Sequence, residues 1–253
     1  MNEHEMTALL RPGERLDSLS YADMAIIQRP DAFRFGTDAV LLSDFTAVRP
    51  RQRVIDLGCG TGVIALLVAS REPSAHLTAI EIQPDIADMA ARSVAMNEMA
   101  DRIDVRCLDM RAAARTLGYG GYHVAICNPP YGKMGAALLN PDKSVRQSRH
   151  EETCTPDDVC RAGFELLRTG GRLCVIFPAP RAFEMMRAMA GHRLEPKRVR
   201  TVHARPDTPP KLILMAAVKD GGEGLHWMPP LVLSDENGAP TDEWKRIYRV
   251  PMP

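Results

Sequence analysis

The stretch "VIDLGCGTGVIAL" (residues 54–66) determines which fold we expect. The apolar run before its first glycine predicts a buried strand, and the apolar run after its last glycine predicts a helix. Gly58, Gly60 and Gly62 lie in the turn between them. Glycines in such a turn accept backbone dihedrals that other residues avoid, and they let a ligand approach the backbone closely. The stretch therefore predicts a strand–turn–helix unit with a ligand at the turn.

The same alternation of strand and helix continues along the chain. Parallel strands joined by crossover helices form a doubly wound α/β sheet. No helix separates the last two strands, which predicts seven strands, mostly parallel, with one antiparallel edge strand. The predicted strands are 53–58, 76–82, 102–107, 122–127, 172–177, 194–203 and 211–218. The predicted helices are 61–72, 84–99, 155–171 and 181–191.

Three parts of the chain are expected from this pattern. Residues 51–219 would form the main domain, and residues 1–50 a small N-terminal cap with a hairpin strand in "SYADMAIIQRP" (20–30). Residues 220–253 are rich in glycine and proline and are predicted to be a surface tail.

Composition excludes several function classes. The chain has 253 residues, and its 32 Lys and Arg balance 32 Asp and Glu, so a nucleic-acid surface must be a local patch. None of the six cysteines forms a CxxC pair, which argues against a metal site. Cys107, Cys127 and Cys174 lie in predicted strands and are expected to be buried thiols of a reducing compartment. Without a signal core or a long apolar run, we expect a cytoplasmic protein with no membrane span.

Acidic residues end the first three predicted strands, where doubly wound sheets bind ligands. Asp56 precedes the glycine loop, and a carboxylate there suits an ammonium group better than a pyrophosphate. S-adenosylmethionine carries such a group. Glu81 lies 19 residues after Gly62, where an acid binds ribose hydroxyls, and Asp109 could accept from an adenine amino group. Neighbouring residues of the same predicted cofactor site are Cys59, Thr61, Ile82, Met110 and Asn128.

The motif "NPPY" (128–131) ends the fourth strand at the same edge. Pro129 restricts Asn128 to extended dihedrals, and Pro130 does the same to Pro129, so the loop is stiff. Neither proline has an N–H, and the loop is therefore rich in hydrogen-bond acceptors. Tyr131 adds an aromatic face for stacking. The alternative interpretation is a proline turn that only closes a strand. The position of the NPPY motif beside the cofactor signature instead favours a binding site for an amino group that accepts a methyl.

Together these motifs resemble the class I, Rossmann-like S-adenosylmethionine-dependent N-methyltransferases, and more narrowly the bacterial tRNA(Val) adenine-N6 methyltransferases. The narrower resemblance depends on stretches at 33–45 ("FRFGTDAVLLSDF"), from 149 ("RHEETCTPDD"), from 202 ("VHARPDTPPKLILMAAVK") and at 233–244 ("LSDENGAPTDEW"). It implies that Thr37 and Asp38 contact the methionine end of the cofactor. The alternative for either residue is a helix cap.

The resemblance implies RNA, most simply tRNA, as the partner. A basic segment follows the NPPY motif and is the expected RNA surface; its members are Lys133, Lys143, Arg146, Arg149 and His150. A second cluster, residues 181–205, has seven Lys or Arg against Glu184 and Glu195. The alternative interpretation of this second cluster is a solvated face, or long side chains whose apolar stems cover the sheet.

Three other functions stay open at this point. NPPY also suits glutamine N5 methylation of a protein, although only about 50 residues precede the first strand. Methylation of another nucleic-acid adenine or of a small molecule uses the same site. A non-catalytic S-adenosylmethionine-binding RNA partner belongs to a different class, and the intact Asn128 and Tyr131 argue against it.

Overall fold

The computed structural model describes residues 3–19, 24–29, 36–130 and 154–249. Within these ranges the strands are β1 Arg15–Ser18, β2 Ala25–Gln28, β3 Arg53–Leu57, β4 His76–Glu81, β5 Ile103–Cys107, β6 Tyr122–Cys127, β7 Leu167–Pro178, β8 Leu194–His203, β9 Leu212–Lys219, β10 His226–Trp227 and β11 Leu231–Val232. The helices are α1 Glu3–Ala8, α2 Thr37–Thr46, α3 Val63–Arg71, α4 Pro84–Met96, α5 Ala113–Leu117, α6 Pro156–Leu166, α7 Ala182–Gly191 and α8 Asp242–Tyr248.

The described strands from β3 onward form one mostly parallel sheet, as the sequence predicts. Its order is β10-β8-β9-β7-β6-β3-β4-β5, with β11 also paired to β8. The sheet has nine strands rather than seven, because the two-residue strands β10 and β11 add to β8. The antiparallel strand β9 lies between β7 and β8, so it is inside the sheet near one end and not at the edge itself. A short connection after β8 reverses the chain direction, so that β9 returns between β7 and β8.

Strand β3 is central and is buried on both faces. Alternate residues point to opposite faces, so Val54 packs with α2 and α3, whereas Ile55 and Leu57 pack with α6 and α7. Ile55 and Leu57 are fully buried, which stabilises the fold by roughly 1.5–3 kcal/mol per side chain. The near-continuous apolar run of this strand follows from its position.

The N-terminal residues form the hairpin that the sequence predicts. β1 and β2 pair antiparallel, and the hairpin docks on α4. The backbone N–H of Ile27 donates to the Ser93 hydroxyl at 3.0 Å, and the Arg92 guanidinium binds both Glu14 carboxylate oxygens. The division into a cap, a main domain and a tail stays a prediction. Residues 220–249 nevertheless include the buried side chains of Leu231 and Ile247.

Two local expectations are wrong. The helix predicted over 155–171 ends at Leu166, because Leu167 already pairs with Tyr122 as the start of β7. Its capping box of Thr155 and Asp158 is present. Cys107 is exposed because β5 is the outermost strand at its side of the sheet, whereas Cys127 and Cys174 are buried. Among the described residues, no helix has the length and apolarity that a membrane crossing requires.

Candidate active site at the carboxyl edge of the sheet

The strand register brings the predicted residues to one edge of the sheet. Asp56 pairs with Ala79 of β4 and with Ile126 of β6. Glu81 and Asn128 each lie two residues beyond these partners, so both are level with Gly58. Asp109 follows β5 by two residues at the same edge. The four polar residues that the sequence singles out therefore end adjacent strands around one glycine loop.

The glycine loop passes from β3 into α3 through three residues with positive φ. Gly62 has a φ of +88° and is the N-cap residue of α3. A side chain at Gly62 would also lie 3.4 Å from the Ala90 Cβ of α4. Cys59 and Thr61 are buried beneath the loop, and the Cys59 N–H donates to the Ile80 carbonyl. Both residues are thus placed at the predicted site, but their side chains are largely covered.

Asp56 is fully buried, and its carboxyl group forms no ion pair with the residues that the structure describes. Both of its oxygens lack a hydrogen-bond partner among the residues described. Desolvation raises the pKa of Asp56 to about 7, and the nearby Glu81 adds to the rise. An orphaned buried carboxylate costs folding free energy, which a cationic ligand group would recover.

Glu81 is nearly buried and joins two loops. One of its carboxylate oxygens accepts from the Gly60 N–H at 3.1 Å, and the other accepts from the Gln83 N–H at 3.0 Å. The side chain therefore holds the glycine loop against the start of α4. Each carboxylate oxygen has further acceptor capacity, which two vicinal hydroxyl groups could use.

A pocket opens beside the glycine loop between the ends of β4 and β5. Ile82, with half of its surface exposed, and Met110 provide apolar walls. The Met110 Cε lies 3.5 Å from the position that a Cβ on Gly58 would occupy. Asp109 also lines the pocket, so three of the predicted cofactor residues share it with Gly58.

The carboxylate of Asp109 is already paired. The Arg111 guanidinium donates to both of its oxygens at distances down to 2.6 Å, and this bond lowers the pKa of Asp109. Sequence reasoning missed Arg111, Cys154 and Asp158, which line the same pocket. Arg111 lies only two residues after Asp109 in the sequence, and this short spacing could have indicated that the two side chains pair. Asp158 could have been found because a crossover helix that precedes a parallel strand begins at the carboxyl edge.

The N-terminus of α2 reaches this edge as well. Arg172, which pairs with Val124 toward the amino end of β6, donates to the Thr46 and Ala47 carbonyls at the end of α2. The last residues of α2 therefore lie toward the amino edge of the sheet, and its first residues point toward the carboxyl edge. Gly36 occupies the N-cap position, and Thr37 is the first helical residue, so neither Thr37 nor Asp38 is the cap. Asp38 in the first turn suits the positive end of the helix dipole.

The acceptor loop is described as far as its second proline. Asn128 is half-buried, Pro129 is buried and Pro130 is exposed. The predicted stacking residue Tyr131 lies outside the described residues. So does the whole first basic segment with Lys133, Lys143, Arg146, Arg149 and His150.

Most of the second basic cluster binds other parts of the chain. Lys197 donates to the carbonyls of residues 222–224, and Arg198 donates to the Phe45 carbonyl and stacks on its ring. Arg200 binds Glu243 with both terminal nitrogens at 2.9 and 2.7 Å. These three residues of β8 attach the C-terminal segment and α2 to the sheet. The alternative that the cluster covers the sheet is therefore supported here.

The side chains at this edge fit S-adenosylmethionine. A buried carboxylate without a partner can face an ammonium group, Glu81 can accept from ribose hydroxyls, and an apolar pocket with an acid at its rim can hold an adenine. Positive-φ glycines leave the backbone open between these groups. Within the described residues, no three His, Cys, Asp or Glu side chains cluster as metal ligands.

Comparisons with known proteins agree with this geometry. The family model of the methyltransferase small domain matches residues 31–192. A protein of Porphyromonas gingivalis named tRNA1(Val) (adenine(37)-N6)-methyltransferase is 35% identical over 78% of this chain and 79% of its own. A protein of the same name from Bacteroides fragilis is 31% identical over 73% of this chain and 77% of its own.

One solved structure resembles most of the fold. The crystal structure of a predicted O-methyltransferase from Agrobacterium tumefaciens superposes with a TM-score of 0.70 at 25% identity. It covers 84% of this chain and 96% of that protein. From the family match, these relatives and the edge of acids and glycines, we conclude that the chain belongs to the methyltransferase small domain family and is an S-adenosylmethionine-dependent N-methyltransferase.

Proposed function

We propose that the enzyme methylates the exocyclic N6 of an adenine in tRNA, beside the anticodon of a tRNA(Val), in the cytoplasm. The observation that carries the proposal is the position of Asn128 and Pro129, level with Gly58 and one strand away from Asp56. The names of the relatives at 31–35% identity support the tRNA substrate. An anticodon loop offers single-stranded bases that can enter such a site without opening a duplex.

The cofactor would be held by the residues that end β3, β4 and β5. We assign the ammonium group to Asp56, the ribose hydroxyls to Glu81 and the adenine amino group to Asp109. Ile82 and Met110 would cover the adenine ring, while Thr37 and Asp38 face the methionine end. Gly58, Gly60 and Gly62 give access, with Cys59 and Thr61 supporting the loop from below. When bound, S-adenosylmethionine supplies an electrophilic methyl group.

Asn128 and Pro129 would orient the nitrogen that receives the methyl. The lone pair of an aromatic amino group is delocalised into the ring, which makes the nitrogen a weak nucleophile. If the Asn128 Oδ1 and the Pro129 carbonyl accept its two hydrogens, a pyramidal nitrogen is favoured and its lone pair is free to attack. Pro130 keeps the loop stiff, and Tyr131 would stack on the base. No residue needs to remove a proton before the transfer, and the methylated, positively charged nitrogen loses one of its protons to solvent afterwards.

A methylation assay with labelled cofactor tests the substrate. Total tRNA and total protein serve as separate acceptors, followed by nucleoside analysis of the labelled RNA. We expect label in tRNA as N6-methyladenosine. Label in glutamine of a protein would instead support the protein methyltransferase alternative. Binding of cofactor without transfer to either acceptor would support a non-catalytic RNA partner.

We expect Glu81→Gln to weaken cofactor binding by about 10- to 100-fold, because one anionic acceptor becomes an amide donor. Isothermal titration with S-adenosylhomocysteine measures the effect. Glu72→Gln is the matched control, since Glu72 follows the last residue of α3, far from the glycine loop, and its carboxylate accepts from Ser74. Equal affinities of Glu81→Gln and the control would remove Glu81 from the ribose site.

Reversing the charge of Arg146 and Arg149 together should weaken tRNA binding and flatten its salt dependence. If each arginine meets one phosphate, the slope of log K against log salt falls by about 1.4. The control reverses Arg49 and Arg51, which are exposed before β3 at the opposite edge of the sheet. An unchanged tRNA affinity and salt dependence in the Arg146 and Arg149 double variant would place the RNA surface elsewhere.

A further inference from the structure

The carboxylate of Asp109 is held by several donors of one residue, Arg111. The Arg111 backbone N–H donates to the Asp109 Oδ1 at 2.9 Å. The guanidinium binds the same carboxylate: its Nε lies 3.0 Å from Oδ1 and 2.9 Å from Oδ2, and a terminal nitrogen lies 2.6 Å from Oδ2. Both oxygens are therefore bound in a fixed orientation by charge-assisted hydrogen bonds.

These contacts leave the Asp109 carboxylate with one acceptor position. An ionised carboxylate has about four lone-pair positions on its two oxygens and no hydrogen to donate. Three hydrogens of Arg111 occupy three of these positions. The Asp109 side chain is still 30% exposed, and it lines the pocket beside Gly58. The remaining position can therefore accept one hydrogen from a ligand in this pocket.

The turn that carries both residues is itself held at the pocket. Asp109 caps the one-turn 3₁₀ helix Met110–Ala112, and this turn packs against α6. The Met110 Sδ lies 4.0 Å from the Sγ of Cys154, just before α6. Because the backbone is fixed by this packing, the direction of the Asp109 carboxylate depends on its side-chain rotamer, and Arg111 selects that rotamer.

The pocket has a second acid, Asp158, which other residues hold. Its carboxylate accepts from the backbone N–H and the hydroxyl of Thr155 in the capping box, and from the Arg161 guanidinium at 2.6 Å. These bonds fix Asp158 to the first turn of α6. Replacing Arg111 therefore releases the Asp109 carboxylate and leaves these bonds of Asp158 in place.

We propose that Arg111 is a positioning residue that sets the specificity of the cofactor site: it holds the Asp109 carboxylate so that the remaining acceptor position selects a 6-amino purine over a 6-oxo purine. The inference rests on the proposed contact between Asp109 and the adenine amino group. An amino group donates a hydrogen to this position, whereas a carbonyl oxygen would face the carboxylate with no hydrogen between them. The guanidinium also lowers the pKa of Asp109, which keeps the carboxylate ionised at physiological pH.

The physical reason for this selectivity is preorganisation. Without the guanidinium, Asp109 keeps its bond from the backbone N–H, but its carboxylate is free to rotate. Ligand binding then has to order the side chain, and this ordering lowers the affinity for an amino purine. A rotating carboxylate can also turn away from a carbonyl oxygen, which reduces the penalty against the oxo purine. Both effects reduce the ratio of the two affinities.

The test is Arg111→Gln, titrated with S-adenosylhomocysteine and with S-inosylhomocysteine, in which a carbonyl oxygen replaces the adenine amino group. The wild type should bind the adenosyl compound about tenfold or more tightly than the inosyl compound, because two facing acceptors leave both groups unpaired. In the variant, the Kd for S-adenosylhomocysteine should rise about three- to tenfold, the cost of ordering one side chain. The Kd for the inosyl compound should stay the same or fall.

Turnover gives a second measurement of the same variant. We expect KM for the cofactor to rise in Arg111→Gln while kcat at saturating cofactor stays unchanged, because Arg111 acts at the adenine end of the site. Arg111→Lys keeps the positive charge but lacks the planar fork that binds both carboxylate oxygens. It should recover only part of the discrimination between the two compounds.

The chain offers a matched control with the same spacing. Arg106 follows Asp104 by two residues, and its Nε donates to the Asp104 carboxylate at 2.8 Å. Both side chains of this pair are about half exposed on β5. Arg106→Gln removes the same type of ion pair and should leave both Kd values unchanged. Thermal unfolding of the two glutamine variants shows whether either is misfolded.

The outcomes separate this inference from the proposed cofactor site. If the wild type binds both compounds equally, the contact between Asp109 and the adenine amino group is wrong, and the inference is wrong with it. If the wild type discriminates and Arg111→Gln discriminates equally well, or binds S-adenosylhomocysteine more tightly, only the positioning role of Arg111 is wrong. An equal loss of discrimination in Arg106→Gln, or full recovery in Arg111→Lys, would assign the effect to stability or to charge alone and overturn the inference.

Discussion

Asn128→Ala is expected to lower kcat by about two to three orders of magnitude, the usual cost of removing one aimed dipole from a transition state. The amide oxygen is the one side-chain acceptor that the described part of the NPPY loop offers, and it lies level with Gly58 beside the cofactor site. Cofactor binding should stay nearly unchanged, because Asp56, Glu81 and Asp109 are intact. The loss would therefore appear in the chemical step.

Single-turnover methylation of tRNA and titration with S-adenosylhomocysteine measure the two quantities separately. Asn237→Ala, at an exposed position of the C-terminal segment, is the matched control and should turn over like the wild type. A thermal unfolding scan of both variants excludes misfolding as the cause. Persistent turnover in Asn128→Ala would show that the amino group is oriented by other residues.

Asp56→Asn should stabilise the ligand-free protein and at the same time weaken cofactor binding. The wild-type carboxylate is fully buried with no hydrogen-bond partner among the described residues, and its pKa is raised from 3.8 to about 7 by desolvation and by Glu81. The amide does not ionise, so it avoids the cost of a buried charge. It also cannot neutralise an ammonium group, and the variant loses that interaction.

The pH dependence has a definite sign. In the unfolded chain Asp56 ionises near its ordinary value of 3.8, whereas the folded protein keeps it protonated up to about 7. Between these values the unfolded state binds fewer protons, so the stability of the wild type falls as pH rises and then levels off. At one pKa unit per 1.36 kcal/mol, the loss is up to about 4 kcal/mol.

Denaturant unfolding of the ligand-free protein between pH 4 and pH 8 checks this expectation. The stability difference between Asp56→Asn and the wild type should grow over this range. Asp101→Asn is the control, because the Asp101 side chain is 76% exposed and should give a constant difference. An Asp56→Asn variant that is less stable than the wild type at pH 8 would contradict an unpaired buried carboxylate.

Much of the fold follows from local patterns. The glycine loop, the alternation of strands and helices, and the capping box at Thr155 are short-range features, and short-range sterics and hydrogen bonds decide them. The acids at the strand ends could be placed together as well, since the carboxyl ends of parallel strands share one edge. The two-residue strands β10 and β11 carry no periodic pattern, so their pairing with β8 was not predictable.

Partnerships between charged side chains were decided by tertiary structure. The sequence shows seven basic residues between 181 and 205 but not their partners. In the fold, Arg200 binds Glu243 and Lys197 binds carbonyls of the C-terminal segment, so both make intramolecular contacts that the sequence does not show. In the same way it places Arg111 on Asp109 at the rim of the cofactor pocket.

By itself, the sequence determined a mostly parallel doubly wound sheet, a glycine loop with acids at three strand ends, and a stiff acceptor loop at the fourth. These follow because hydrophobic periodicity and the dihedral limits of glycine and proline act over a few residues. Only the tertiary structure decided that Asp56 is buried without a hydrogen-bond partner among the described residues and that Arg246 pairs with Asp44. Burial and contacts between residues more than 200 positions apart depend on how all the layers pack, which no local pattern encodes.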